Sequence, residues 1–412
     1  MRWDVIVVGG GASGLMAAGR AAELGARVLL LEKMGRVGIK LSLTGKGRCN
    51  LTNSGDLQTF IESYRHNGKF LHNVFSRFFN DDLIAFFNSC GLSTIEERGR
   101  RIFPASDRAQ DVVRVLRDYI SGHGVRVVFH APGREILVVG GRAMGVRTDS
   151  GVFEANRVIL ATGGASYPQT GSTGDGYRMA KNLGHTIQPI RPSLVPLEIE
   201  EPFVRDLQGL ALKNVKVTLL ASGRKAGEEF GEMLFTHFGV SGPIILTLSG
   251  IAVDELARGK EEFSIDFKPA LSREQVEARL IREFQIHRRR QIINILPHLL
   301  PKRLVSIFIQ RAAIPASLRG SEIQSGERKR LVSLLKDWRL TIQGPRPVEE
   351  AIVTAGGISV KEIHPSTMES KIVGGLHFCG EVIDVDGKTG GYNLQSAFST
   401  GWVAGEAATK EP

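Results

Sequence analysis

The chain has 412 residues, 42% hydrophobic and 23% charged. That length is too great for one ordinary core and suits two or three domains, with a balance usual for a soluble globular protein. Three scattered cysteines, Cys49, Cys90 and Cys379, exclude a disulfide framework or a cysteine-based metal site, and no metal ligands are assigned. No stretch reaches membrane-spanning length, and the N-terminal apolar run is too short for a cleavable signal, so a cytoplasmic protein with reduced thiols is expected. Net charge is +10, and residues 271–340 hold 15 Lys and Arg against 6 Asp and Glu, an excess of nine. Such concentration suggests a basic face for an anionic partner such as nucleic acid; the plainer reading, which comes first on charge alone, is a solvated helical surface.

Asp4–Lys33 reads DVIVVGGGASGLMAAGRAAELGARVLLLEK. Val5–Val8 is a β-branched apolar run, suited to a strand buried on both faces of a parallel sheet. Gly9, Gly11 and Gly14 follow as G-x-G-x-x-G, and Ser13–Leu24 reads as a helix stopped by Gly25. Gly9 permits the tight turn, Gly11 admits a pyrophosphate, and Gly14 lets helix and strand pack closely. Arg27–Leu31 is a second buried strand ending at Glu32, whose carboxylate can accept from both hydroxyls of an adenosine ribose. An acid there favours a free 2′-hydroxyl, hence FAD or NAD rather than NADP.

The next loop, GRVGIKLSLTGKGRCNLTN, interleaves glycines with Arg36, Lys40, Lys46 and Arg48, as phosphate or flavin contacts would. Two amphipathic helices are predicted over 69–90, with Asp81 as a cap, then a hairpin over 94–103 turning at Gly99. Asp107 and Gln110 resemble a capping box before a helix to about Ile120. A strand over 125–129 and a meander over 135–154 follow. Val158–Leu160 is a strand whose end, Ala161–Gly164, returns to the nucleotide, and GSTGDGYRMAKNLG offers another glycine turn into a helix.

Pro189, Pro192 and Pro196 mark a boundary. Short strands are expected from 193 to 266, including VKVTLL, EEFGEMLFTHFG, PIILTLSG and FSIDF, as a small barrel or antiparallel sheet. Residues 271–340 read as helical, 344–347 as a linker, and EEAIVTAGGIS as one more strand of the β part. Leu376–Cys379 is a strand, and a helix runs from near Asn393 to about Ala408. The expected division is 1–190 with 362–412, an inserted β part of 191–270 with 341–361, and a nested basic helical domain of 271–340.

The segments GGGASGLMAA, GRVGIKLSLTGKGRCNLTN, ILATGG, GSTGDGY, MLFTHFGVSGP, VTAGGIS and GLHFCGEVIDVDGKTGGYNLQSAFSTG span nearly the whole chain. In them the sequence resembles the YhiN/BaiN-like family of NAD(P)/FAD-dependent oxidoreductases, also called aminoacetone-oxidase-like. The resemblance implies an α/β fold: an FAD-binding Rossmann-type domain with an inserted β-barrel and a nested helical domain. It implies that Gly9, Gly11, Ala12, Ser13 and Gly14 hold the pyrophosphate and Glu32 the adenosine ribose. Lys33, Lys40, Arg48 and Asn50 would approach phosphates or the flavin, and Ile136 the adenine through its backbone. Thr162 and Gly163 would border the dinucleotide, Glu381 would grip the ribitol, and Asn393 and Leu394 would begin a helix aimed at the pyrimidine edge of the flavin. No second G-x-G-x-x-G is present, so NADH or NADPH would serve as a transient donor at the flavin face.

Candidates for proton transfer are Cys49 beside Arg48, Thr236 with His237, and Asp175. His237 lies in the inserted β part, which caps the flavin in this architecture, and suits a general acid. Arg48 would lower the pKa of Cys49. The plainer readings are a structural histidine, a packed thiol and a helix cap. Three functions fit: an oxidoreductase acting on a small unsaturated molecule, flavin-dependent reduction of a uridine in ribosomal RNA, which this resemblance also carries, and a flavin-stabilised binding module without turnover.

Overall fold

In the computed structural model, residues 2–256 and 259–410 are described. The chain divides into two compact units, 1–192 with 348–412, and 193–347.

The first unit is built on a seven-stranded sheet. Its order is Arg126–Val128, Val28–Leu31, Trp3–Val8, Gly151–Leu160, Arg142–Thr148 and Gly133–Val139, and Leu376–Phe378 also pairs with Gly151–Leu160. Val5–Val8 and Val28–Leu31 are buried throughout, as unbroken apolar runs require in a sheet covered on both faces. Gly151–Leu160 is one strand with two partners. Its first residues pair antiparallel with Arg142–Thr148, and its last pair parallel with Trp3–Val8 and Leu376–Phe378. The meander is therefore continuous with the parallel core.

The glycine-loop helix, Ala12–Glu23, lies against the C-terminal helix, Tyr392–Ala407. Two glycines set the distance. A Cβ on Gly401 would stand 2.3 Å from the Ser13 carbonyl oxygen, and one on Gly405 would stand 2.4 Å from that of Ala17. Only bare backbone fits at this crossing.

Several local expectations are corrected. The helix over Asn80–Ser89 starts one residue before Asp81, and Asp82 accepts from the Phe79 N–H. Asp107 caps no helix: the helix is Ala109–Gly122, and the Asp107 carboxylate is drawn to Arg48. Val353–Ile358 does not join the β part. It pairs with Ile187–Ser193 in the first unit, because Gly356 and Gly357 allow an approach that side chains would block. A Cβ on Gly356 would lie 2.1 Å from the Pro189 carbonyl oxygen, and one on Gly357 2.7 Å from that of Val382.

The second unit contains a closed six-stranded barrel, ordered Leu197–Ile199, Gly239–Ser241, Arg224–Phe235, Ala211–Ala221, Glu261–Asp266 and Trp338–Pro345. PIILTLSG is not a strand but the start of the helix Pro243–Glu255. An apolar run of that length suits either state, and Pro243 at the first helical position after Gly242 decides for the helix. Gly344 and Pro345 form no linker; they extend the last barrel strand beside Leu197 and Glu198. The helical segment expected as a nested domain shares a core with the barrel. Trp338, fully buried at the start of that strand, stacks on Phe308 of the helix Lys302–Arg311 at 4.3 Å and meets Phe267 edge-on.

Overpacking the helix crossing should cost about 1–3 kcal/mol per site. Gly401→Val and Gly405→Val should each lower Tm by several degrees in thermal unfolding. Gly122→Ala, where an added Cβ meets nothing within 4 Å, should not. Equal Tm values for all three would refute the close-packing account.

Candidate dinucleotide site

The G-x-G-x-x-G turn forms where Trp3–Val8 ends. Gly9 has φ +105°, and a Cβ there would press on the Ala161 carbonyl oxygen at 2.5 Å. A Cβ on Gly14 would stand 1.9 Å from the Gly9 oxygen, whereas one on Gly11 would meet nothing within 4 Å. Gly9 and Gly14 are thus demanded by packing, and Gly11 faces open space. Gly11 precedes Ala12 and Ser13, and no side chain caps this helix N-terminus. Its first N–H groups, with no partner inside the helix, suit an anion.

Glu32 is buried beside that turn. One carboxylate oxygen accepts from the Gly10 N–H and the other from the Met34 N–H, both at 2.7 Å. Burial raises its pKa above the usual carboxylate value, against the opposing pull of those N–H groups. Segment 128–131 flanks it, with the Glu32 N–H bonded to Val128 O and the Ala131 N–H to Glu32 O. Ile136 lies in the outermost strand of the meander with its side chain buried, so its backbone is what it can offer a ligand.

Two lysines near the turn, Lys33 and Lys40, are already engaged. Lys33 donates to Thr173 and Asp175 at 2.6 Å. Asp175 is the first residue of the helix Asp175–Asn182. Burial pushes its pKa up, but the bonds from Lys33 and Thr173 prevail and hold it below the usual range. Lys40 donates to Ser166 and Glu381, each at 2.7 Å. The other Glu381 oxygen accepts from the Thr354 N–H at 2.8 Å and from Ser166. Ser166 and Thr354 escaped the sequence reading; Gly164 of ILATGG was the available signal, since a Cβ there would stand 2.3 Å from Thr354 Oγ1 and 2.7 Å from Glu381 Oε1.

Thr162 and Gly163 follow Gly151–Leu160 directly. The Thr162 hydroxyl is buried with no hydrogen-bond partner among the described residues, and Gly163 is left-handed at φ +71°. At the C-terminal helix, Gly390 and Gly391 have φ +128° and +100°, and no side chain caps Tyr392, Asn393 and Leu394. The Asn393 side chain instead closes the preceding loop onto Gly387. Gln395 Oε1 is buried and unpartnered nearby in that helix. Two uncapped helix N-termini, an enclosed carboxylate and orphaned polar atoms fit a dinucleotide flavin.

Other expectations change. Arg48 is not directed to a phosphate: its guanidinium binds Glu97 and Asp107, which raise its pKa further, and it stacks on Phe103 at 4.3 Å. Asn50, with its amide oriented to suit its neighbours, donates to the carbonyls of Ile102 and Thr52 and accepts from the Gly391 N–H at 3.0 Å. It therefore positions the loop before the C-terminal helix. Cys49 is fully buried, and burial pushes its thiol up to about 12 despite Arg48 next in sequence. That removes it as a nucleophile or acid near neutral pH. In the second unit, Thr236 closes a turn by accepting from the Gly239 N–H, and His237 is exposed with its ring edge-on to Phe238.

Two outcomes follow. Glu32→Ala should weaken FAD binding about 10- to 100-fold, since a hydrogen bond to a charged group contributes about 1.5–3 kcal/mol; unchanged affinity would place the ribose elsewhere. In the folded protein an alkylating reagent should modify the exposed Cys90 and spare the buried Cys49 and Cys379, and denaturant should release all three. Labelling of Cys49 at the rate of Cys90 would contradict its burial.

Residues 3–407 match the family described as HI0933-like protein Rossmann domain. The chain is 34% identical over 415 residues to the 3-dehydro-bile acid delta(4,6)-reductase of Clostridium scindens, covering 98% of this chain and 99% of the relative. It is 33% identical over 412 residues to the ribosomal RNA dihydrouridine synthase of Escherichia coli, covering 98% of each. Among solved structures, the 3-ketosteroid delta1-dehydrogenase of Sterolibacterium denitrificans matches with a TM-score of 0.56 at 13% identity, covering 99% of each chain, a likeness of fold. No helix among the described residues is long and apolar enough to cross a membrane. Carrying the turn, acid and helix ends that a flavin dinucleotide needs, the chain belongs to the HI0933-like Rossmann family and is an FAD-dependent oxidoreductase.

Proposed function

We propose that this protein is an NAD(P)H-dependent reductase of a carbon–carbon double bond conjugated to a carbonyl in a small molecule. The observation that carries the reading is full-length similarity to two relatives of different name. A reductase of a 3-dehydro-delta(4,6) compound and a dihydrouridine synthase both act on that functional group. Bound FAD would supply the hydride chemistry.

The chain's own residues supply position and charge. Gly9, Gly11, Ala12, Ser13 and Gly14 hold the pyrophosphate at an uncapped helix end, and Glu32 holds the ribose. Thr162 and Gly163 border the dinucleotide, Lys33 sits beside it, and Ile136 meets the adenine. Glu381, braced by Lys40, Ser166 and Thr354, receives the ribitol. The first turn of the C-terminal helix, Tyr392 to Leu394, presents its positive end to negative charge on the pyrimidine edge. Addition of hydride at one carbon requires a proton at its neighbour. Without a second nucleotide-binding turn, the nicotinamide donor binds only transiently.

A second reading, to which the name of the Escherichia coli relative points, has a support in this chain's own surface. Arg288, Arg289 and Arg290 are consecutive and exposed, and no side-chain partner engages their guanidinium groups among the described residues. The triplet Arg328–Arg330 differs: Arg328 bonds to Ile323 O, and Arg330 bonds to Ala312 O and Glu327. Only the first triplet is free to bind the phosphates of ribosomal RNA, where a uridine would be the substrate.

Anaerobic mixing of the FAD-loaded protein with NADH or NADPH should bleach the flavin, and a conjugated enone should restore its colour. No bleaching by either donor would sink the reductase reading and leave a non-catalytic flavin module. RNA from cells with and without the protein decides between substrates. Loss of one reduced uridine, with RNA retention weakened in an Arg288→Ala, Arg289→Ala, Arg290→Ala variant, would favour RNA; identical RNA would favour the small molecule.

A further inference from the structure

We propose that Glu283, His287 and His298 form a divalent-metal site that takes Zn2+, separate from the dinucleotide site. The local fold brings the three together. Glu283 lies in the last turn of the helix Arg273–Ile286, and His287 is its C-cap, four residues on and so on the same face. His298 arrives from the short turn Leu296–His298. One donor atom from each residue lies within 4.8 Å of the other two.

The spacing suits a missing centre better than direct bonding. Glu283 Oε2 is 3.9 Å from His287 Nε2 and 4.0 Å from His298 Nδ1, beyond hydrogen-bond reach of both. The imidazoles face each other at 4.8 Å between ring centroids. Zinc bonds nitrogen and carboxylate oxygen at about 2.0–2.2 Å, so tetrahedral ligands stand roughly 3.5 Å apart; the two carboxylate–imidazole gaps of 3.9 and 4.0 Å need to close by about half an ångström, and the imidazole nitrogens, within 4.8 Å, by little more than an ångström. Arg279 donates to the other oxygen, Oε1, at 2.8 Å, which orients the carboxylate and leaves Oε2 for the metal. The Glu283 side chain is 9% exposed and that of His298 42%, so the site has a buried anchor and an open side. A cavity of about 150 Å³ reaches His298 and is bounded also by Arg279 and Leu299. Two imidazoles, one carboxylate and one water make a donor set that zinc accepts.

Such a site would tie the end of one helix to the following turn and add positive charge just before Arg288–Arg290. In sequence, His287 reads merely as the first residue of HRRR. Its ligand partners become visible only when the turn at His298 folds back.

The test uses full-length, FAD-loaded protein stripped with a chelator, then titrated with Zn2+ by calorimetry. One ion per chain should bind and raise Tm, and a chelator should reverse both effects. His298→Gln, at the exposed side, and Glu283→Gln should each weaken binding about tenfold or more with flavin absorbance unchanged. Co2+ titrated into the unmodified protein should show the intense visible bands of a four-coordinate site, a reading that needs no variant. Absence of saturable Zn2+ binding would overturn the proposal. So would binding unaltered in both variants, or only octahedral Co2+ spectra.

Discussion

The contact on which this architecture depends is a crossing between two helices far apart in sequence. Gly401 and Gly405 bring the C-terminal helix onto the backbone of Ser13 and Ala17. Further bonds secure the crossing: Ser13 Oγ donates to Cys379 O, and the Gly380 N–H donates to Thr400 Oγ1. The crossing couples two helices whose N-termini are both uncapped. A helix N-terminus carries partial positive charge, so the arrangement is suited to an anionic ligand with several charged centres.

Around these helix ends the protein uses side chains mainly to brace one another. Lys33 holds Asp175, Lys40 holds Glu381, and Arg48 joins Glu97 and Asp107. Asn50 and Asn53 fasten the loop before the C-terminal helix by bonds to Gly391 and Gly390. Tyr64 adds a bond to Tyr392 O, and Arg65 pairs with the buried Asp386. The glycine-rich loop that looked like a set of ligand contacts is thus largely a clamp on a distant loop. Backbone N–H groups are left to face a ligand, and they cost no side-chain entropy to place.

Where local reading failed, the missing information was a neighbour. PIILTLSG has the same apolar content as a buried strand, and its helical state follows from the Gly–Pro start and the barrel it covers. Cys49 beside Arg48 suggests an activated thiol, yet Arg48 turns to two carboxylates and the thiol is left in an apolar interior. VTAGGIS looks like a barrel strand until its glycines admit Pro189 and Val382 to close approach. The helical segment looks separable until Trp338 is seen stacked on Phe308.

The sequence by itself determined the parallel sheet, the phosphate-binding turn and the acid at the end of the second strand. Those features are local: a buried strand, a turn whose Gly9 and Gly14 admit no side chain, and a helix start lie within thirty consecutive residues. It also determined that the C-terminal segment returns to the nucleotide sheet, through glycine signals strong enough to read without neighbours. Tertiary structure alone decided which basic residues remain free, which thiol is inert, where Glu381 finds its partners and where Val353–Ile358 belongs. Each of those depends on a charge, a hydrogen-bond partner or a close backbone contact supplied from far along the chain, and local propensity carries no record of it.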